Sequence, residues 1–389
     1  MRNTYIVLAA IYLSFVVLGF YDPSFAVALP VIRYDMGIGV QQVGIVIFVN
    51  SIFYTLSGAM FGHMSLRMKP ESVNLLGLFT LMLGIASLSL VVDIVSLAAF
   101  AGLVGMGSGM IDSSLNSYMA RNFSSRYMSW LHCSWSIGAT ISPIIMSQMI
   151  LLANWRMGYI SLAALQGIVA AFVLASILRG AWGTRDINQP HATHTAQARP
   201  HLTHWRYQFI NIAIFFVYMG MDYSLGLWLA SLMIESRGLD ISAAAVYPAV
   251  YFASLMLGRI ASGWLAKHFS NMALIRAGLT LAVAGILLLI HSDSIVGVAL
   301  AGLGFAPVYP CLMHDTARLF NPAILTKLIG QQVAAAGMGV ALLAPAIGLL
   351  LSYVSLEALF PLTIGLAALV FILNELTEIG IKHAGANSI

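Results

Sequence analysis

Three aspartates lie where carboxylates are expensive. Asp22, Asp112 and Asp222 fall inside long apolar stretches and cannot be assigned to the end of a helix. An ionised carboxylate held away from water is costly, so an acid kept there usually has work to do. It can take up a proton where it is dry and release it where water reaches it. All three are therefore candidate proton-coupling groups. Each also has a plainer reading. Asp22 precedes Pro23 and could cap an interrupted backbone or pair with a neighbouring helix. Asp222 stands between Gly220 and Gly226 and could contact a solute, or pack with Tyr223 or Ser224.

Asp112 and Asn116 are spaced i, i+4, which puts both on one face of a helix. Such a face can hydrogen-bond the hydroxyl groups of a small solute, or it can bind two helices together. Gly105 and Gly109 repeat at the same spacing and allow close helix approach. His132, with Trp135 one turn beyond it, adds a group that titrates near neutrality and an aromatic surface. His132 is placed to pair with Asp112, to relay a proton, or to sit at a helix end. Gln331 and Gln332 are polar in an apolar setting, and with Asp112, Asn116, His132 and Trp135 they make up the candidate solute-binding set. Phe53, Tyr54, Tyr218, Trp228, Tyr251 and Tyr309 are further aromatics along the segments, most of them expected to pack or face lipid. Arg259, Pro307 and Pro345 are candidate gating positions, the arginine through its charge and the prolines through the bends they impose.

His191, His194, His201 and His204 form two HxxH pairs with spacing suited to zinc or nickel. They fall in a proline-containing polar stretch that does not preorganise them. A solvated linker is the expectation, with no bound metal.

The elements that must position these residues follow from composition. The 389 residues are 60% hydrophobic and 8% charged, with a mean hydropathy of +0.90. A soluble domain carries about 25% charged residues, so fourteen acids and eighteen bases cannot clothe a water-facing surface of this size. Soluble enzymes, nucleic-acid binders and disordered chains are excluded. A bilayer-spanning helix needs about 20 apolar residues. Apolar segments run near 5–32, 40–61, 72–92, 94–118, 128–152 and 157–179, then near 206–234, 242–265, 271–290, 294–314, 325–352 and 356–376. The reading is twelve spans: a bundle over 1–179, a linker over 180–205 and a second bundle over 206–389.

The charges agree with that count. Arg67, Lys69, Arg121, Arg126, Arg179 to Arg206, Lys267, Arg276, Arg318, Lys327 and Lys382 fall on one side. Asp35, Asp93, Glu235, Asp240, Asp293 and Glu357 collect opposite, with only Arg33, Arg156 and Arg237 among them. Basic loops stay cytoplasmic, which puts both termini inside. Cys133 and Cys311, far apart in apolar segments, read as small buried residues rather than a disulfide.

The halves also repeat at an offset of about 200 residues: Asp22 falls on Asp222, Leu29 on Leu229, and Ala101-Gly102-Leu103 on Ala301-Gly302-Leu303. With small shifts Gly62 matches Gly263, Ala120-Arg121-Asn122-Phe123 matches Ala317-Arg318-Leu319-Phe320, and Pro143 matches Pro345. Two parallel six-helix repeats resemble the major facilitator architecture. Gly258-Arg259 with Gly263-Trp264-Leu265-Ala266 is similar to that superfamily's signature between helices 8 and 9, and Asn154-Trp155-Arg156 to its Trp-Arg pair after helix 5. The counterpart after helix 2, Gly62 to Arg67, departs from it: Leu66 stands where the family usually has aspartate, and Lys267 takes the equivalent place in the second half. The charge latch built on those aspartates is thereby in question.

Gly105, Gly107, Gly109, Asp112, Asn116, Arg121, Phe123, Leu131-His132, Gly138 and Pro143 resemble the fucose-permease-like branch, which contains proton-coupled sugar symporters. The resemblance implies an all-α polytopic membrane protein working by alternating access, with the proton as coupling ion and a small hydroxylated, sugar-like solute. It implies no other cofactor and no nucleic-acid partner, a monomer, and a bacterial-type inner membrane. The alternative is a proton-driven exporter of drugs, siderophores or metabolites using the same carboxylates. No nucleophile or metal constellation of an enzyme is present in the sequence: G-x-S-x-G and H-E-x-x-H are both missing.

Overall fold

The computed structural model describes residues 2–38, 40–182, 202, 204–239 and 241–386, all in helices and their connections. In chain order the helices are α1 (Arg2–Leu18), α2 (Tyr21–Met36), α3 (Val40–Met64), α4 (Pro70–Ser87), α5 (Ile94–Asn122), α6 (Ser125–Leu152) and α7 (Trp155–Leu178). They continue as α8 (Trp205–Glu235), α9 (Ile241–Leu265), α10 (Asn271–His291), α11 (Ile295–Phe305), α12 (Val308–Leu319), α13 (Pro322–Met338), α14 (Ala344–Tyr353) and α15 (Leu359–Ala386).

Among the described residues, eleven spans are long and apolar enough to cross a membrane. The twelfth expected segment, 242–265, is the unbroken helix α9, which carries Pro248 and Arg259. The interior is an apolar core that also encloses many hydrogen-bonding side chains, and large apolar side chains cover the periphery. Ser14, Asn74, Ser113, Asn116, Gln166 and Gln332 are fully buried, while Leu83, Ile168, Leu257 and Leu349 are more than half exposed. Apolar side chains outside and hydrogen-bonding groups inside are what a hydrocarbon solvent selects.

Two compact units emerge. The first comprises residues 1–118, 131–199 and 329–334, and the second 119–130, 200–328 and 335–389. They follow the two halves of the sequence, except that residues 119–130, the end of α5 and the start of α6, group with the second unit, and residues 329–334 of the second half group with the first.

Within each unit the same helix crossings are built on glycine. In the first, a β-carbon at Gly77 would stand 2.9 Å from the Gly107 carbonyl oxygen, and one at Gly107 would meet Leu81 backbone at 2.4 Å. In the second, Gly278 would meet the Gly304 oxygen at 2.4 Å, and Gly304 the backbone of Ala282 at 2.4 Å. Thus α4 crosses α5 as α10 crosses α11, backbone against backbone, and no larger residue fits either crossing.

Groups expected on one side of the membrane also meet inside each unit. In the first, Trp155 donates its indole N–H to Asp35 at 2.7 Å, and Arg156 donates to the Val91 carbonyl at 3.1 Å. In the second, Arg237 binds Asp293 at 2.6 Å and Glu357 through two bonds of 2.9 Å. Those two carboxylates hold the Arg237 guanidinium well above its usual pKa. At the other end of the second unit, Arg276 binds Glu375, and Arg318 binds Asp315 and Glu378. This sorting matches the alternation the twelve-span count requires.

Candidate functional site

In the first unit the chemistry gathers around Asp112 on α5. The carboxyl is buried; the Tyr54 hydroxyl on α3 donates to its Oδ2, and Asn116 donates from Nδ2 to its Oδ1 at 2.6 Å. Tyr54 reaches because α3 and α5 nearly touch. A β-carbon at Gly105 would stand 2.1 Å from the Asn50 oxygen, and one at Gly109 2.4 Å from the Tyr54 oxygen. The glycine spacing therefore does more than pack helices: it brings a phenol within reach of a buried acid. Asn116 is fully buried, and its Oδ1 has no hydrogen-bond partner among the described residues; the hydroxyls of Ser113 and Ser117 are in the same condition. Leaving such an acceptor unsatisfied costs about 1–3 kcal/mol, so this face of α5 holds hydrogen-bonding capacity that the protein itself does not use.

Asp22 is placed differently. The first span breaks at Gly19–Phe20, where a β-carbon on Gly19 would lie 2.3 Å from the Trp135 carbonyl oxygen, and Asp22 falls in the first turn of α2. It is exposed and makes no hydrogen bond or ion pair with a described residue. A helix N-terminus attracts an anion, so the interrupted backbone explains its position as well as a proton-coupling role does. His132 is buried and meets the Phe15 ring edge-on at 5.6 Å; the partners of Asp112 are Tyr54 and Asn116, and His132 is not among them. Trp135, half-buried, contributes its backbone to the Gly19 contact. Gln331 and Gln332 join this unit because Gly330 comes within 2.6 Å of the Gly58 oxygen on α3, measured from where its β-carbon would be. Gln332 is fully buried, and neither glutamine bonds Asp112 or Asn116.

In the second unit Asp222 on α8 is buried and accepts a hydrogen bond from the Tyr251 hydroxyl on α9. Tyr218 donates to the Phe305 carbonyl at 2.8 Å, and its ring lies 6.3 Å from that of Tyr309. Arg259, two turns along α9 from Tyr251, is close enough for its charge to act on Asp222, Tyr218 and Tyr251. Pro307 lies between α11 and α12, and Pro345 opens α14 directly after a π-helical turn at Gly339–Leu343. That turn packs on α8, where a β-carbon on Gly339 would be 2.1 Å from the Phe216 oxygen.

Tyr54 and Tyr251 stand among several aromatics in the sequence, with nothing local to mark them as partners of the acids. They correspond at an offset close to that of the repeat, each on the second span of its half. An aromatic conserved across the internal repeat beside a membrane-embedded acid is the signal that would have found them. His314 and Asp315 join a network: His314 bonds the Phe123 carbonyl at 3.1 Å and Asn271 at 3.0 Å, and Asn271 donates to Asp315 at 2.8 Å.

Where the latch aspartates are missing, the second unit carries a cation–aromatic stack. The Arg126 guanidinium lies 4.0 Å from the Trp130 ring centre and 5.4 Å from that of Trp264, and the Lys267 ammonium is 4.9 Å from Trp264. Gly263 makes room for it, since a β-carbon there would be 2.3 Å from the Trp130 indole nitrogen. Contacts of this kind are worth about 0.5–2 kcal/mol each. Lys267, wrong in sign for a salt-bridge latch, has the right sign for this one.

Among the described residues no group of His, Cys, Asp and Glu is arranged to hold a metal ion. His191, His194 and His201 of the linker lie outside the described residues. Cys133 and Cys311 are both buried, and neither forms a disulfide among the described residues.

Two repeated helical units, apolar on the outside and each burying a tyrosine-bound aspartate, are the build of a membrane transporter. The chain belongs to the Major Facilitator Superfamily, whose family model matches residues 8–330. It is 22% identical over 320 residues to the glucose/mannose transporter GlcP of Bacillus subtilis, covering 79% of each chain. It is 24% identical over 319 residues to the probable sulfoacetate transporter SauU of Cupriavidus necator, covering 72% of this chain and 71% of that one. A probable L-galactonate transporter of Escherichia coli is 23% identical over 292 residues, with 67% of this chain and 62% of that one covered. In fold the chain is similar to the major facilitator transporter FucP in its outward conformation, with a TM-score of 0.76 at 15% identity over 97% of this chain and 99% of that one. A bacterial homologue of the iron transporter ferroportin gives a TM-score of 0.77 at 12% identity, covering 96% and 99%.

Proposed function

We propose that the protein is a proton-coupled symporter of a small hydroxylated solute, a sugar or sugar acid, working by alternating access in a bacterial-type inner membrane with both termini cytoplasmic. The observation that carries this reading is the Asp112–Tyr54–Asn116 cluster. A buried carboxyl held by neutral donors stands beside an amide oxygen that lacks a donor. A hydroxyl-bearing solute supplies that donor, and a proton on Asp112 removes a charge the span would otherwise have to carry. Relatives named for glucose and mannose, L-galactonate and sulfoacetate support a small polar solute.

In this cycle Asp22 and Asp112 exchange protons, and Asp222, the repeat-related carboxylate, keeps its charge opposite Arg259. Asp112 and Asn116 hold the solute, and His132, Trp135, Gln331 and Gln332 complete its surroundings. Arg259, Pro307 and Pro345 serve the gates. The protein acts as a monomer on a small molecule, needs no cofactor but the proton, and binds no nucleic acid.

Proteoliposomes given an inward proton gradient test the direction of coupling with a panel of hexoses and hexonates. Accumulation of one of them is expected; its depletion from preloaded vesicles would instead make the protein an antiporter. Asp22→Asn separates the two explanations of that residue, since proton-driven uptake that survives the change leaves Asp22 with only the helix terminus to serve.

A further inference from the structure

His314 and Asp315 are neighbours on α12, and both meet one side chain, Asn271 at the start of α10. The Asn271 amide nitrogen stands 3.0 Å from His314 Nδ1 and 2.8 Å from Asp315 Oδ1, while His314 Nε2 stands 3.1 Å from the Phe123 carbonyl oxygen. All four residues belong to the second unit. Their chemistry fixes the protons. A carbonyl only accepts, so Nε2 carries the ring hydrogen; an amide NH2 only donates, so Nδ1 offers its lone pair. Asp315 takes the other amide hydrogen and two bonds from Arg318, at 3.1 and 3.3 Å. Asn271 is held in place because Ser270 caps α10, accepting from the Ala273 N–H at 3.2 Å. The network is complete only while the ring of His314 is neutral.

A proton on Nδ1 sets a donor against a donor. The amide can answer by turning its oxygen to the ring, but that oxygen then faces the Asp315 carboxylate, and two acceptors repel. Asn271 can serve the imidazolium or the carboxylate, not both. The other ionisable groups of the surrounding elements are engaged or turned away. Arg318 binds Asp315 and Glu378 of α15, and Arg276 of α10 binds Glu375 of α15. In the α9–α10 connection Lys267 lies on the Trp264 ring and His268 is exposed. Cys311, one turn before Asp315 on α12, is buried. The α5–α6 connection presents the Phe123 carbonyl, which either form of the ring can bind through Nε2–H.

We propose that His314 is a proton-binding site that links α10 to α12 through Asn271 while its ring is neutral, and releases that link when the ring takes a proton. An imidazole titrates near neutrality, so the link answers to the range of pH a cell meets. The site is separate from Asp22, Asp112 and Asp222, and it stands whatever solute the protein carries. The bonds require the neutral ring, so their contribution to stability is complete above the imidazole range and is lost as the pH falls through it.

The full chain in detergent micelles tests this without any solute. Unfolding midpoints are compared from about pH 8 to about pH 5.5 for the wild type and for His314→Gln, whose amide keeps a donor for the Phe123 carbonyl and cannot take the proton. The wild type is expected to lose about 2–4 °C more than the variant over that range; parallel profiles overturn the proposal. Asn271→Asp puts a carboxylate where an imidazolium can bind it, so its midpoint is expected to rise on acidification. A fall equal to that of the wild type also overturns the proposal. Hydrogen exchange of the wild type locates the change and decides the matter if the variants do not fold. Corrected for its intrinsic pH dependence, exchange at the amides of residues 275–279 should be about tenfold faster at the acid end of the range, with no such rise at residues 285–289 of the same helix. A rise shared by both stretches, or found in neither, refutes a local release.

Discussion

Each unit buries one aspartate against one tyrosine, yet the surroundings differ. Asp112 is answered only by neutral donors, the Tyr54 hydroxyl and the Asn116 amide. Asp222 shares the Tyr251 hydroxyl with the field of a guanidinium, Arg259. The first arrangement tolerates a neutral acid, because hydrogen bonds to a carboxyl survive protonation after a rearrangement. The second sets the acid opposite a permanent positive charge, so neutralising it disturbs the balance of its unit. The difference teaches that a repeated fold can carry one acid suited to gaining and losing a proton and another suited to holding a charge.

Asp112→Asn should break the comparison most visibly. Gradient-driven accumulation is expected to fall to the diffusive background while solute exchange and folded yield persist, because an amide accepts from Asn116 through its oxygen and donates to the Tyr54 hydroxyl through its NH2, but has no proton to exchange. Uphill uptake by this variant would refute a coupling role for Asp112. Asp222→Asn should act first on stability, with a loss of up to about 3 kcal/mol, the scale for removing one partner of a buried pair. Arg259→Gln added to it should recover part of that loss in a double-mutant cycle on unfolding midpoints. If the two single aspartate variants melt alike, the guanidinium does not distinguish them.

The glycine contacts allow a finer test. Gly109→Ala and Gly302→Ala each put a methyl against a tyrosine backbone, of Tyr54 at 2.4 Å and Tyr251 at 2.5 Å. Each should cost about 1–3 kcal/mol through overpacking. Only Gly109→Ala forces apart the helices that join acid to tyrosine, so it should lower the transport rate as well. Gly302→Ala moves α11 against α9 while Asp222 stays on α8, and its effect should be confined to stability.

The smallest effect belongs to an acid outside the bilayer. Asp93 accepts from the Ser96 backbone at 2.7 Å and from its hydroxyl at 2.7 Å, and these bonds hold its carboxyl below the usual range. A lowered folded pKa makes its contribution complete above the unfolded value and lost as the pH falls through the folded one. Asp93→Asn should therefore flatten a slight acid-side slope of stability and leave transport unchanged, as melting curves taken across pH 3 to about 6 would show.

Much of the architecture was legible from the sequence. The charge deficit announced a membrane protein, and the alternation of bases and acids fixed the grouping of helix ends later seen in the Asp35–Trp155 and Arg237–Glu357 contacts. The i, i+4 relation of Asp112 and Asn116 is local, so it survived folding intact. Pairings across helices were not legible. Which of fifteen tyrosines meets an acid depends on helix rotation, and mean hydropathy does not encode rotation when apolar residues surround a span on all sides. The pairing of His132 with Asp112 failed for that reason. The missing latch aspartates were plain in the sequence. The stack of Arg126, Trp130, Trp264 and Lys267 in their stead was not, because it joins residues more than a hundred positions apart.

Residues 329–334 of the second half of the chain fall within the first unit, where a β-carbon at Gly330 would stand 2.6 Å from the Gly58 oxygen. A single methyl added at position 330 would therefore be felt by the helices that hold Asp112 rather than by those around Asp222.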